Sequence, residues 1–522
     1  MSEHFDLPNE SKPIWKDTLK NFSHEPLNED VKTEVAIVGG GITGITAAYL
    51  LSKSGTKVTL IDADRILSGT TLYTTAKVTA QHNLIYDELI SHFGYQIARG
   101  YYEANSEAIK LIESIIQDNQ IDCAFSKQDA YLYSTTGEYA RKIEKEYQAY
   151  EGLNINGKIT DQIPFNIDIE NALYMKDQAQ FNPTQYLSQL ADLAKNQGTK
   201  IYEQTTAVDV QSDENHATVI TREGHKIEAK YVLSCSHFPF YEGRGLYSGR
   251  LRADRSYVIA FPTDSYPGGY YLAVDQPSRS IRQTTIHHQD YILFGGESHK
   301  VGQGGNFQKH YHALKRSAEQ IFGKQPIMYR WSTQDLITLD KIPYVGPITK
   351  NEPRVLVATG YRKWGMTNST AAAKLMADTV QGNINPYQEV YQPSRFNADP
   401  SLKKFFRENF DVTKHLIKGK LAFPKNKIED LGKDQATTFV TNGHRKGAYK
   451  ANDGTVYIVD TTCTHVGCEV NWNDAERTWD CPCHGSRFSY KGEVIEGPAE
   501  TDLKNYDYHL LDNFDPNKDG GY

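Results

Sequence analysis

The stretch Glu34-Val-Ala-Ile-Val38-Gly39-Gly40-Gly41-Ile42-Thr43-Gly44 reads as a short buried strand, a glycine turn and the start of an apolar helix that runs on to Leu51. In a strand, turn and helix of this kind the first glycine, Gly39, allows the tight turn. The second, Gly41, lets the backbone approach a diphosphate, and the third, Gly44, lets helix and strand pack closely, with the helix N-terminus facing the phosphate charge. A second apolar strand, Lys57-Val-Thr-Leu-Ile61, ends at Asp62, eighteen residues beyond Gly44, where a carboxylate can accept a ribose hydroxyl. Dinucleotide binding is therefore expected, with Gly39, Gly41, Ile42, Thr43, Gly44 and Asp62 as contacts. The alternative is an ordinary tight turn in an α/β domain, and the fingerprint alone leaves FAD and NAD open.

A different pattern stands near the other end: Cys463-Thr-His465 and, after fifteen intervening residues, Cys481-Pro-Cys483-His484. A Rieske [2Fe–2S] cluster holds one iron with two thiolates and the other with two imidazoles, so it takes one Cys and one His from each of two facing loops. Cys463, His465, Cys481 and His484 stand in that order. Two Cys and two His are also a zinc set, which remains the competing reading, although zinc sites usually begin with paired cysteines whereas ligand type alternates within each loop here. The loops Cys463-Thr-His465-Val-Gly-Cys468 and Cys481-Pro-Cys483-His484-Gly-Ser486 resemble those of respiratory-type Rieske proteins. That resemblance implies a Cys468–Cys483 disulfide tying the loops together, and a shielding proline loop at Gly497-Pro498-Ala499.

Between these patterns lie Phe181-Asn-Pro183-Thr-Gln-Tyr-Leu-Ser-Gln-Leu190, Gly295-Gly-Glu297, Thr338-Leu-Asp340-Lys-Ile-Pro343-Tyr-Val-Gly346-Pro347 and Val355-Leu-Val-Ala-Thr-Gly360-Tyr-Arg-Lys-Trp-Gly365-Met-Thr367. In this order they resemble the D-amino-acid-oxidase-like flavoprotein superfamily, over roughly Val35 to Val380. The resemblance implies a Rossmann-like FAD-binding domain interleaved with an α+β substrate domain, with Val355 to Gly360 returning to the nucleotide-binding sheet. It places FAD contacts at Thr75, Val208, Gly360, Trp364, Gly365, Met366 and Thr367. The turn and helix start from Arg362 to Asn368 would face the flavin ring, where N–H groups stabilise negative charge.

The segment Ser68-Gly-Thr-Thr-Leu-Tyr73-Thr-Thr75-Ala-Lys77-Val-Thr-Ala-Gln-His82 occupies the place where that superfamily meets the flavin. Members with histidine-linked flavin carry the histidine here, where this chain has Tyr73, and no cysteine lies between Cys235 and Cys463 for the cysteine-linked alternative. FAD is expected to be non-covalent. Lys77 is a candidate for tuning the flavin or handling a substrate proton, a solvent-facing lysine being the plainer alternative. Arg362 is a candidate for holding a substrate carboxylate by a bidentate contact, against a surface or FAD-contacting arginine.

Four regions are expected: a polar N-terminal segment over 1–30, the FAD-dependent oxidoreductase over 31–382, a linker with a helix over 383–430, and a small antiparallel-β Rieske domain over 431–522. Leu402, Phe405, Phe406 and Phe410 have helical spacing and read as packing residues. Thr437-Thr-Phe-Val440 and Thr455-Val-Tyr-Ile-Val459 read as short strands beside Asn-Gly and Asp-Gly turns. No twenty-residue apolar span and no secretory signal pattern is present, so a cytoplasmic protein without an integral membrane segment is expected. A disulfide is unusual in that compartment. Cys123 and Cys235 read as reduced thiols. The net charge is −8, and 431–522 holds nine Lys plus Arg against fifteen Asp plus Glu, a difference of −6. That balance argues against nucleic-acid partners.

Together the halves resemble flavoprotein–Rieske fusions, in which a flavin takes two electrons and the cluster passes one at a time. The expected activity is oxidation of an amine or amino acid at FAD, with electrons leaving through the cluster to an external one-electron acceptor. An electron-transfer component accepting from an external donor and serving a separate oxygenase is an alternative. So is a non-enzymatic redox sensor. Only 38 residues follow His484, so a mononuclear-iron oxygenase domain is not expected there.

Overall fold

The structure is a computed structural model that describes residues 7–395, 404, 407–412, 414–416, 428, 430–441 and 443–506. These form two units: one holds 7–251, 255–298 and 310–395, and the other holds 252–254, 299–309 and the described residues from 404 onward.

In the first unit, Val35–Val38 is buried along its whole length in a six-stranded sheet. The strand order is Tyr344–Pro347, Val355–Thr359, Tyr231–Ser234, Val35–Val38, Val58–Ile61, Lys200–Tyr202. Val35 stands opposite both Val58 and Tyr231, and only Tyr344–Pro347 runs antiparallel to its neighbour. Helices Pro183–Asn196 and Gly365–Gln381 both contact Ile42–Lys53, whose Ile45, Ala47, Ala48, Tyr49 and Leu51 are buried. The Asn182-Pro183 pair starts the first of these helices, since Asn182 Oδ1 accepts the Thr184 and Gln185 N–H groups (both 3.2 Å) and Pro183 needs no donor there. A nine-stranded mixed sheet, running from Tyr329–Thr338 to Lys77–Val78, supplies the substrate-domain layer, and a four-stranded sheet contains Ala207–Ser212.

The segment expected to be merely polar contributes to the main core: Ile14 and Trp15 are fully buried, and Trp15 Nε1 donates to the Thr74 carbonyl at 2.6 Å.

The second unit contains two four-stranded antiparallel sheets, Gln435–Thr441 with His444–Lys450, Val456–Asp460 and Asn505–Tyr506, and Asn471–Asn473 with Thr478–Asp480, Arg487–Ser489 and Val494–Glu496. They meet where Gly447 faces the fully buried Trp479, whose indole occupies the space a Cβ at 447 would need. Residues 407–412 and 414–416 are helical. Leu402, Phe405 and Phe406 lie outside the described residues. Phe410, expected to pack, is 74% exposed; among the described residues of this helix, Val412 and Leu416 pack on the core containing the four C-terminal cysteines. Helical spacing identifies a face without saying what covers it. Among the described residues no helix is long and apolar enough to cross a membrane.

Candidate functional site

The glycine turn leaves little freedom. Gly39 has φ +107°, and a Cβ there would stand 2.6 Å from the Cys235 carbonyl oxygen, while a Cβ at Gly44 would run into the Gly39 carbonyl. At the helix start the Ile42 N–H donates to Thr71 Oγ1 (3.1 Å), and Thr43 Oγ1 is 2.9 Å from the Tyr361 hydroxyl. The Asp62 carboxylate accepts the Gly40 N–H at 2.7 Å and the Asp64 N–H at 2.9 Å. Burial pushes its pKa up to about 6 against those two bonds. Each carboxylate oxygen keeps a lone pair for a ribose hydroxyl. The loop leading to Val208 is tied to this turn, because the Thr205 N–H donates to the Asp62 carbonyl (2.8 Å) and Gln204 Nε2 to Asp64 Oδ1 (3.0 Å). The cradle fits the adenosine diphosphate end of FAD.

Two groups of residues lie on the segments expected at the ring. In one, Lys77 Nζ donates to Ser280 Oγ (2.6 Å) and Thr75 Oγ1 (3.1 Å). Burial, and then the charge of Arg282, lower its pKa to about 7. Arg282 is itself buried and fixed, its Nη1 donating to the carbonyls of Thr75 and Ala76. The other group centres on His82, which is wholly buried. A carbonyl can only accept, so the 2.7 Å contact of Nε2 with the Thr79 oxygen assigns the ring proton to Nε2, and Nδ1 then accepts from the Tyr101 hydroxyl at 2.7 Å. Thr367 Oγ1 donates to the same Thr79 carbonyl (2.8 Å), Trp364 stacks on the imidazole with centroids 5.0 Å apart, and Arg362 Nη2 donates to the His82 carbonyl (2.7 Å). Burial, followed by the Arg362 charge, lowers the His82 pKa to about 3, which keeps it neutral.

Gly360 precedes this turn with φ +82°, and Gly365 and Met366 open the helix. Arg362 Nε is buried without a hydrogen-bond partner among the described residues. The sequence alone assigns no role to His82, Tyr101, Ser280 or Arg282. Nothing local marks them, since each acts through contacts made across the fold.

In the second unit the Cys463 and Cys481 thiols are hydrogen-bonded neighbours, and the imidazoles of His465 and His484 stand perpendicular with centroids 5.0 Å apart. Cys468 and Cys483 form a disulfide. The sulfurs of Cys468, Cys481 and Cys483 gather within 4.8 Å of one another, but the two in the disulfide have no thiolate to offer a metal. Backbone turns shape both loops: the Gly467 N–H donates to the Cys463 carbonyl (2.9 Å), and the Gly485 N–H to the Cys481 carbonyl (3.2 Å). The Ala499 N–H reaches Ser486 Oγ at 3.0 Å, which ties the Gly497-Pro498-Ala499 segment to the second loop. His484 Nδ1 is buried and has no hydrogen-bond partner among the described residues, as befits a nitrogen held for a metal. The donor set fits a [2Fe–2S] cluster, two thiolates for one iron and two neutral imidazoles for the other.

Comparison with known proteins agrees. Residues 34–379 match the family of FAD dependent oxidoreductases, and 422–507 match the Rieske [2Fe-2S] domain. The chain belongs to the FAD dependent oxidoreductase family and carries a C-terminal Rieske domain; its cofactors are FAD and a [2Fe–2S] cluster. It is 50% identical over 494 residues to the Rieske 2Fe-2S iron-sulfur protein YhfW of Bacillus subtilis, covering 94% of this chain and 97% of the relative. Gamma-glutamylputrescine oxidoreductase of Escherichia coli is 22% identical over 70% of this chain and 87% of its own length. The crystal structure of glycine oxidase from Geobacillus kaustophilus superimposes with a TM-score of 0.60 at 18% identity, over 70% of this chain and 99% of that one, and so shares the fold.

Proposed function

We propose that this protein oxidises the C–N bond of an amine or amino acid and delivers the electrons singly to an external acceptor in the cytoplasm. The observation that carries the reading is the presence, on one chain, of a flavoprotein span and a Rieske domain. When bound, FAD takes up two electrons as a hydride and the [2Fe–2S] cluster passes electrons one at a time. The substrate class is supported by the likeness to an oxidoreductase acting on gamma-glutamylputrescine.

The chain's own residues have these roles in the proposal. The glycine turn and Asp62 hold the nucleotide, with Val208 beyond them. Thr75, Gly360, Trp364, Gly365, Met366 and Thr367 seat the ring. Lys77 Nζ, with its pKa near 7, accepts the proton of the substrate ammonium, since only a free amine has the lone pair that C–N oxidation uses. Arg362 holds a substrate carboxylate; its unpartnered Nε is the donor left over for it. Cys463, His465, Cys481 and His484 hold the cluster.

Anaerobic addition of a panel of secondary amines and amino acids tests the reading. Bleaching of the flavin by a member of the panel is the expected result. Failure of every candidate, with flavin reduction retained from an external reductase, would replace the dehydrogenase with an electron carrier.

A further inference from the structure

Residues 299–309 belong to the second unit although they fall inside the span that matches the flavoprotein family. Gly302 has φ +66°, and a Cβ there would stand 2.6 Å from the Pro482 nitrogen and 2.8 Å from the Cys481 carbonyl carbon, so this backbone lies directly against the second cluster loop. Its carbonyl accepts Asn471 Nδ2 at 2.9 Å. Farther along, the Phe307 N–H donates to Asp474 Oδ1 (2.7 Å) and Gln308 Nε2 to the Asp474 carbonyl (3.3 Å). The segment is thus pinned at both ends.

At its start, the Lys300 side chain is only 16% exposed and bonds to Glu408 (3.0 Å) and Asp411 (2.6 Å), while Gln303 Nε2 holds the same Asp411 oxygen at 2.9 Å. Arg252 and Arg407 share Glu408, at 3.7 and 3.2 Å. Lys300 stands two residues before Gly302, whose backbone lies against Cys481 and Pro482.

We propose that residues 299–309 complete the iron–sulfur site, with Gly302 seating the Cys481-Pro482 loop and the Lys300 ammonium favouring the reduced cluster. The inference rests on the ligand assignment Cys463, His465, Cys481 and His484. A reduced cluster carries one more negative charge than an oxidised one, so a nearby cation held out of bulk solvent raises the reduction potential. The segment also makes the C-terminal region incomplete by itself: the cluster domain depends on sequence that lies more than a hundred residues earlier.

The test uses the full-length holoprotein. Gly302→Val, which adds a branched side chain where neither φ nor space admits one, should lose most of its iron and acid-labile sulfide while FAD stays at one per chain; full cluster content would overturn the seating role. Lys300→Met should keep its cluster and shift the potential downward, while Lys300→Arg stays near wild type. An unchanged or higher potential in Lys300→Met would overturn the electrostatic role, and it decides that point even if Gly302→Val also loses FAD. Failure of the ligand assignment is separate: there, His484→Ala would retain the cluster.

Discussion

Lys77 Nζ lies 2.6 Å from Ser280 Oγ, tying together two non-adjacent strands of the nine-stranded sheet, Lys77–Val78 and Arg279–Ile286. The contact holds a lysine in place while burial and the Arg282 charge strip it of its usual affinity for a proton. A lysine of pKa near 7 can exchange a proton at neutral pH, which a solvent-exposed one cannot do efficiently.

For the catalytic assignment, kcat/KM should rise with pH through about 7, because the neutral amine is the form that accepts the substrate proton. Lys77→Met should lose that limb and fall by about 10²-fold or more, the usual scale of general acid–base contributions. Steady-state rates from pH 5 to 9 check this; a limb that persists in Lys77→Met would assign it to another group.

His82 links Thr79 with Tyr101 and stacks on Trp364. His82→Phe keeps a ring but leaves the Tyr101 hydroxyl without its acceptor, a cost of about 1–3 kcal/mol for a buried group left unsatisfied, while the Thr79 carbonyl keeps the Thr367 hydroxyl. The variant should melt lower and release FAD more readily, as read by thermal unfolding and flavin fluorescence. The pH dependence has a definite sign. With a folded pKa of about 3 and an ordinary value of 6.5, the unfolded chain binds the extra proton between those limits, so His82 makes stability fall as pH drops from 6.5 toward 3. That part of the slope should vanish in His82→Phe.

The two cofactor sites should fail independently. In Gly44→Ala the new methyl meets the Gly39 carbonyl, so FAD should be lost or bound at least about tenfold more weakly, a change of about 1.4 kcal/mol, while iron and sulfide stay at cluster stoichiometry. In His484→Ala the cluster should be lost and FAD retained, released by acid precipitation because no covalent link is expected. Cofactor analysis of both proteins decides the matter; zinc in place of iron after anaerobic preparation would refute the Rieske ligand set.

Phe488 is fully buried in the core with Cys463, Cys468, Cys481 and Cys483 and stands opposite Trp479. High-potential Rieske loops resembling this one carry a tyrosine at that place, whose hydroxyl donates to a ligand cysteine. Donors to sulfur stabilise the more negative reduced state. Phe488→Tyr should therefore raise the potential, by tens of millivolts on a scale where about 59 mV is tenfold for one electron. Voltammetry should use the full-length protein, because residues 299–309 are part of the cluster's unit.

What the sequence disclosed was chiefly what is encoded in consecutive residues. A strand, glycine turn and helix need their glycines at fixed spacing, and two facing loops need their Cys and His within a few positions, so the turn at Gly39 to Gly44 and the loops from Cys463 to His484 are legible in the sequence. His82 is not, because one of its partners, Thr367, lies 285 residues away. Trp15 was hidden by its polar neighbours, and the placement of 299–309 had no local signature at all. The helix near 410 is legible from its spacing, but of its four expected packing residues the one described, Phe410, faces solvent while Val412 and Leu416 pack on the core, a difference that rests on the surrounding fold.

Whether electrons taken from the substrate leave through the cluster is decided by an anaerobic titration with a substrate identified from the panel, following flavin absorbance and the paramagnetic signal of the reduced cluster in the same sample. The cluster signal should grow as the flavin bleaches. Complete bleaching with the cluster still oxidised, in protein whose cluster is reducible by dithionite, would contradict it.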